Sequence, residues 1–343
     1  MGTMIDLTRA MSAGMPVYPG DPIVQDQVAA DHGTDGFHVS RLAFGTHAGT
    51  HLDAPFHFFK DGETLDAFPV STFFLSAAVL DLRGILAEHA RPGLPTVISW
   101  RDLEPFAPVF ESVGCVILRT DWSDRWGEPD YFSGFPSLVP DTADHITDFP
   151  VQILGLETPS LSSLAHFAVE LGNLVDTGKD GGDQKDGDGS DLEAAVDEVL
   201  GISRLGIPTH FGAPAVRTRE DGAVEAWNDR SLLREAFLLH SDSECHRILL
   251  GRTPPVLLLE GLVNLERLPC IGPDDHAGIT GLNGGRIDAS PLAGKVFDLV
   301  CLPLALAHSD GAPARTVAVL RNDEGPRLSK SSMPKVCDIL KTW

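Results

Sequence analysis

"FGTHAGTHLDAPFHF", residues 44–58, sets His47, His51, Asp53 and His57 at positions of one parity around Gly49 and Pro55. Side chains of one parity face one side of an ideal strand. At about 3.3 Å per residue, however, His47 and His51 would lie about 13 Å apart, too far to share an ion. The chain must therefore bend or coil between them, and Gly49 is the residue that permits it. A continuous helix would also bring His47 and His51 together at i, i+4, but Gly49 and Pro55 argue against one. Imidazole and carboxylate donors gathered in this way suit zinc, with manganese as the alternative. The competing reading is a polar β-turn in which Thr50 and Asp53 hydrogen-bond the backbone. Three histidines and an aspartate within eleven residues favour the metal.

Outward from this stretch, short apolar runs recur: "AAVLDL" from Ala77, "VGCVILR" from Val113, "VQILGL" from Val151, "VLLLE" from Val256, "VFDLVCL" from Val296 and "RTVAVL" from Arg315. Their length, β-branched content and Gly, Pro or charged borders predict buried strands. Helix signals lie between them. Ser99 stands as an N-cap before "WRDLEPF", "TPSLSSLAHFAVELG" from Thr158 has helical apolar spacing with Pro159 near its start, and "SLLREAFLLH" from Ser231 is a third candidate. The pattern predicts a mixed α/β domain whose central sheet is assembled from distant segments.

The chain has 343 residues, enough for a sizeable core. Its formal net charge of -23 disfavours nucleic acid and anionic membrane as partners, because both recruit clustered Lys and Arg. Five scattered cysteines without a C-x-x-C pair predict no disulfide framework and favour a reducing, cytoplasmic setting. The opening "MGTMIDLTRAMSAG" lacks an apolar h-region, and "VFDLVCLPLALA" from Val296 is too short and interrupted to span a bilayer. Segment 176–198 holds nine acidic residues and two lysines. Read as an EF-hand from Asp186, it puts Asp191 where the turning Gly belongs and Asp197 where the bidentate Glu belongs, so a solvated, flexible loop over 176–191 is the better expectation.

"HAGTHLDAPFH" resembles the H-x-G-T-x-x-D-x-P-x-H signature of the cyclase family, which includes bacterial-type kynurenine formamidases and isatin hydrolase. "MPVYPGDP" (15–22), "LRTDW" (118–122), "LGLETPSL" (154–161), "CHRILLGRTPPVLLLEGLVNLERLP" (245–269) and "VFDLVCLPLALAHSDGAPARTVAVL" (296–320) are similar to further family segments, in the expected order. The resemblance implies a cyclase-like swivelling β/β/α domain with a mixed sheet across 1–343, carrying a long, partly helical insertion at 162–240. It implies one zinc on His47, His51 and Asp53, a second completed by Asp53, His246 and Glu260, and His57 as the catalytic acid/base. It also implies a homodimer or homotetramer. The sequence departs from the family pattern in the wider spacing of His246 and Glu260 and in Glu157, where an Asp is usual. Independently of the family, Glu260 ends the apolar run "PVLLLE", where a carboxylate needs either a cation or a salt bridge to Arg247 or Arg252.

The chemistry expected of such a centre is metal-hydroxide attack on an amide carbonyl, with His57 shuttling the proton to the leaving nitrogen. N-formylkynurenine, giving kynurenine and formate in tryptophan catabolism, is the leading substrate. A cyclic amide or lactone, a cyclase or dehydratase step of secondary metabolism, and a non-catalytic metal-binding scaffold are the alternatives. Tyr18, Asp21, Phe56 and Phe58 are candidate pocket residues, although Phe56 and Phe58 read equally well as core on alternate strand faces. No G-x-S-x-G elbow is present, so a serine-hydrolase design is disfavoured.

Overall fold

Four of the apolar runs form the parallel part of one sheet. The computed structural model describes residues 2–90, 96–163, 215–218, 224–227, 241–273, 275, 282–283, 286–287, 292 and 294–320. The first elements are β1 (Thr3–Asp6), β2 (Gln25–Ala30), β3 (Val39–Ala43), β4 (His51–Asp53) and β5 (Phe74–Asp81). They are followed by α1 (Arg83–His89), β6 (Cys115–Arg119), α2 (Pro140–Thr147) and β7 (Ile153–Leu156). The chain then adds α3 (Ser241–Gly251), β8 (Leu257–Glu260), β9 (Cys270–Ile271), β10 (Val296–Pro303) and β11 (Gly311–Leu320). Strands β6, β7 and β8 are buried at every residue, as strands covered on both faces must be.

β5, β6, β7 and β8 run parallel in that order. β8 then pairs antiparallel with β4, β4 with the start of β11, β11 with β10, and β10 with β5. The path returns on itself, so the sheet closes in the manner of a barrel, with β1 added on β11 and β9 on β5. Closure is what matters for function. It wedges the three-residue β4 between β8 and β11, so residues from three distant parts of the chain face each other across one short strand.

Alternation sorts β4. Leu52 is fully buried and joins the main core with Val79, Leu80, Ile117, Leu154, Leu258 and Phe297. His51 and Asp53, one residue to either side, point the other way. Helix α2 packs against α3, which also lies on β8.

The predicted strands all appear, with shifts of a residue or two, except that the run from Ala77 belongs to a strand beginning at Phe74 and the run from Arg315 to one beginning at Gly311. Asp102 Oδ2 accepts from both the backbone N–H and the hydroxyl of Ser99, so the predicted N-cap opens a short helix at Trp100–Leu103. The helix expected from Thr158 does not start there: residues 157–162 form bends. The Thr158 hydroxyl donates to Ser160 O, Leu138 N to Leu161 O, and Ser163 N to the Ser137 hydroxyl, and these bonds compete with helical ones. Its continuation beyond residue 163, the helix expected from Ser231, and the acidic loop at 176–191 lie outside the described residues. Within 162–240 the described elements beyond residue 163 are Ala215–Thr218 and Val224–Trp227, paired antiparallel. No helix among the described residues is long and apolar enough to cross a membrane.

Candidate metal centre

The bend demanded by the spacing of His47 and His51 is present. Gly49 takes φ +70°, a left-handed conformation that favours glycine, and the chain turns through 46–50 before entering β4. Thr50 fastens the turn: its hydroxyl donates to Gly261 O at 2.7 Å and accepts from Arg9 N at 2.9 Å. Its carbonyl accepts from Ala314 N. The two rings thereby stand edge to face with centroids 5.1 Å apart.

Strand register builds the buried half of the cluster. Glu260 lies directly opposite His51, and Leu258 opposite Asp53. Directly opposed side chains share a face of the sheet. His51 Nε2 is 3.3 Å from Asp53 Oδ1 and 3.5 Å from Glu260 Oε2. From α3, His246 Nε2 comes to 3.5 Å from Asp53 Oδ2 and 3.7 Å from Glu260 Oε1. All four residues are at most 3% exposed. Arg247 and Arg252, the alternative partners for Glu260, donate instead to Phe58 O and Val151 O.

The rim half is more open. His47 Nδ1 is 2.7 Å from Asp53 Oδ1, and its Nε2 is 3.0 Å from Asp310 Oδ2. His57 reaches the same rim, because Pro55 opens a 3-10 turn that coils the chain back. The His57 and His47 ring centroids are 4.0 Å apart, and His57 Nδ1 is 3.6 Å from Asp310 Oδ2.

One sequence-derived group is thus drawn together, and one residue the sequence reading missed joins it. Asp310 precedes β11, and nothing in "AHSDGAPA" distinguishes it from an ordinary strand-opening turn. Only the pairing of Gly311 with Asp53 brings it to the rim.

Electrostatics separate the acids. Burial works to raise Asp53, but the charge of His47 and hydrogen bonds with His246, His47 and His51 hold it well below the usual carboxylate range. Burial likewise opposes protonation of His47, yet Asp53 and Asp310 outweigh it and push the ring up to about 10. Burial keeps His57 below its ordinary value, against the pull of Asp310. Asp21 is raised, chiefly by burial, with His47 and His51 drawing it down and Asp53 and Asp310 pushing it up, so it senses the cluster.

The donor set fits a divalent ion. One oxygen or nitrogen each from His51, Asp53 and Glu260 lies within 4.8 Å of the others, and the same holds for His47, Asp53 and His57. His51 supplies a sharper test. Its Nδ1–H donates to Gly49 O at 3.1 Å, which turns Nε2 toward two carboxylate oxygens. A cation between them would find one nitrogen and two oxygen donors already oriented. Nitrogen and oxygen donors in this mixture suit zinc or manganese.

Of the candidate pocket residues, Tyr18 packs edge-on against Phe132 at 5.9 Å, and Phe58 stacks on His246 at 4.6 Å beneath the Arg247 guanidinium. Phe56 is 38% exposed. Trp126 packs with Met15, Val24 and Ala48, and carries the Arg9 guanidinium 3.9 Å above its ring.

Comparison with known proteins agrees with the family resemblance. Residues 5–163 match the family described as "Putative cyclase". The chain is similar to the kynurenine formamidase of Salinibacter ruber (strain DSM 13855 / M31), with 29% identity over 183 residues, 51% of this chain and 78% of that protein. Its fold is that of isatin hydrolase A from Ralstonia solanacearum, at a TM-score of 0.53 and 15% identity, covering 93% of this chain and 92% of the other. Isatin hydrolase A from Labrenzia aggregata gives the same TM-score at 17% identity, covering 93% and 94%.

Proposed function

We propose, with the cyclase match over residues 5–163 as premise, that the chain is a metal-dependent hydrolase of amide bonds whose substrate is N-formylkynurenine, released as kynurenine and formate. The observation that carries this reading is the convergence of His47, His51, His246, Asp53 and Glu260, with Asp53 common to both donor groups. These five residues would hold one divalent ion or two, zinc with manganese as the alternative. A bound ion supplies a Lewis acid for the amide carbonyl and an acidified water at neutral pH.

The chain's own residues do the rest. Asp53 and Glu260 offset the ionic charge inside an otherwise apolar wall, and their burial excludes competing water. His57 stands at the rim with burial favouring its neutral ring, so it can take a proton at neutral pH. As the water oxygen bonds to the carbonyl carbon, His57 accepts the water's proton. It returns that proton to the leaving nitrogen as the C–N bond breaks. Tyr18 and Phe58 offer aromatic faces to an anthranoyl ring, and Asp21 offers an acceptor for its N–H. The kynurenine formamidase relative supports the choice of substrate.

The test is a panel assay of zinc- or manganese-loaded protein with N-formylkynurenine, isatin and simple lactones, beside His57→Ala. Formate release from N-formylkynurenine is expected, falling about 10²- to 10⁴-fold in the variant with bound metal retained. Turnover of isatin alone would transfer the reading to cyclic amides, and turnover indifferent to His57→Ala would remove the proton shuttle.

A further inference from the structure

Asp310 has no place in the mechanism above, yet one oxygen of its carboxylate serves two of the rim imidazoles. Oδ2 is 3.0 Å from His47 Nε2 and 3.6 Å from His57 Nδ1. We propose that Asp310 is a positioning residue: by accepting from His47 Nε2–H it fixes the tautomer whose Nδ1 faces Asp53 and the divalent ion, and it steadies His57 beside that ring. This rests on the metal-dependent reading and deepens it.

A half-exposed carboxylate near a histidine is often a casual ion pair of little consequence. Two features separate Asp310 from that case. Its backbone is clamped on both sides: Asp310 O accepts from Ala54 N at 2.9 Å, Ser309 O accepts from Leu65 N, Asp66 accepts from His308 N, and Gly311 pairs with Asp53. The carboxylate is therefore carried by the same strand pairing that sets Asp53. The His47 ring is also pressed against this turn, because a Cβ on Gly311 would fall 2.7 Å from His47 Cε1. The ring cannot drift from Asp310 toward β11, and its other nitrogen is left 2.7 Å from Asp53 Oδ1.

The chemistry follows from imidazole having two distinct nitrogens. A neutral ring carries one proton, and the nitrogen without it is the ligand. A carboxylate can only accept, so it holds the proton on the nitrogen it faces. Carboxylates face both nitrogens, Asp53 on Nδ1 and Asp310 on Nε2, so an ion bound beside Asp53 would displace the Nδ1 proton and leave the one that Asp310 holds. Without Asp310, nothing among the described contacts of Nε2 enforces that choice. Outer carboxylates of this kind orient a ligating histidine and raise its basicity.

Zinc affinity is measured by competition with a chromophoric chelator for the wild type, Asp310→Asn and Asp310→Ala. Asp310→Ala is expected to bind zinc about 10- to 100-fold more weakly. Asp310→Asn is expected to lie nearer the wild type, because its amide oxygen still accepts from Nε2–H. Histidine ¹⁵N spectra of the zinc-loaded wild type, which need no variant to fold, are expected to show His47 protonated at Nε2. Affinity unchanged in Asp310→Ala, Asp310→Asn as weak as Asp310→Ala, or a proton on Nδ1 of His47 would each overturn the inference. Failure of the wild type itself to bind zinc or manganese would instead sink the metal-dependent reading, and the brace with it.

Discussion

The two halves of the cluster are held by different means. His51, Asp53, His246 and Glu260 are sealed at 3% exposure or less, three of them on paired strands and the fourth on a helix packed beneath. His47, His57 and Asp310 have side chains 14%, 29% and 35% exposed, and all three sit in turns flanking β4 or β11. Strand register fixes position to a fraction of a side chain, whereas turns depend on local bonds and on glycine. The sealed half is thus built to hold charge, and the rim half to meet substrate and move protons. Asp53 belongs to both, through Oδ1 toward His47 and His51 and Oδ2 toward His246.

The strongest attack on this division is Asp53→Ala. Removing the shared carboxylate should abolish stoichiometric metal and cut turnover at least about a thousandfold, since several kcal/mol of charge stabilisation goes with the ion. It should also destabilise the metal-free fold by about 3 kcal/mol or more, because buried imidazoles lose their counter-charge. Metal analysis with thermal unfolding checks both. A variant that kept its metal would show that the two halves bind independently.

A smaller effect is expected on the rim. Gly311→Ala puts a Cβ 2.7 Å from His47 Cε1 and from Leu52 O, so ring and strand must shift. Overpacking of this kind costs about 1–3 kcal/mol, and zinc affinity should fall about tenfold as His47 leaves its place. Full affinity in this variant would show that His47 is not held by its contact with β11.

A third effect, confined to a pH window, comes from a buried carboxylate that meets no imidazole. Glu157 Oε2 accepts from Thr120 N and Asp121 N, and Oε1 from the Ser123 hydroxyl. Burial outweighs these donors and pushes it up to about 7, whereas Asp53, equally buried among imidazoles, is held well below its ordinary range. A carboxyl raised in the folded state binds its proton more tightly there than when unfolded. Its stabilising contribution is complete below about pH 4.5 and is lost as pH rises through about 7. Glu157→Gln should remove that slope, so the variant gains on the wild type between pH 5 and 8 by up to about 3 kcal/mol. Parallel melting curves across that range would contradict it.

Much of this is legible in the amino-acid sequence. Apolar runs bounded by Gly, Pro or charge become β5 to β8, β10 and β11; β6 to β8 are buried on both faces, whereas burial along β10 alternates. The need for a bend at Gly49 followed from rise per residue alone. The Thr158 helix failed because local hydroxyl bonds compete with helical ones, which periodicity does not register. His57 reaches the rim through a 3-10 turn at Pro55, a local reversal that spacing alone does not specify. Asp310 was invisible, since its neighbours in sequence resemble any turn before a strand.

By itself the sequence determined the donor types, the bend between the first two histidines and the strands that bury their neighbours. Those properties depend on residue chemistry and on spacings within a few residues. Tertiary structure alone decided that Glu260 faces His51, that His246 reaches Asp53 from a helix, and that Asp310 leans on His47. Each of those meetings joins segments roughly two hundred or more residues apart, and only closure of the sheet around β4 removes the distance between them.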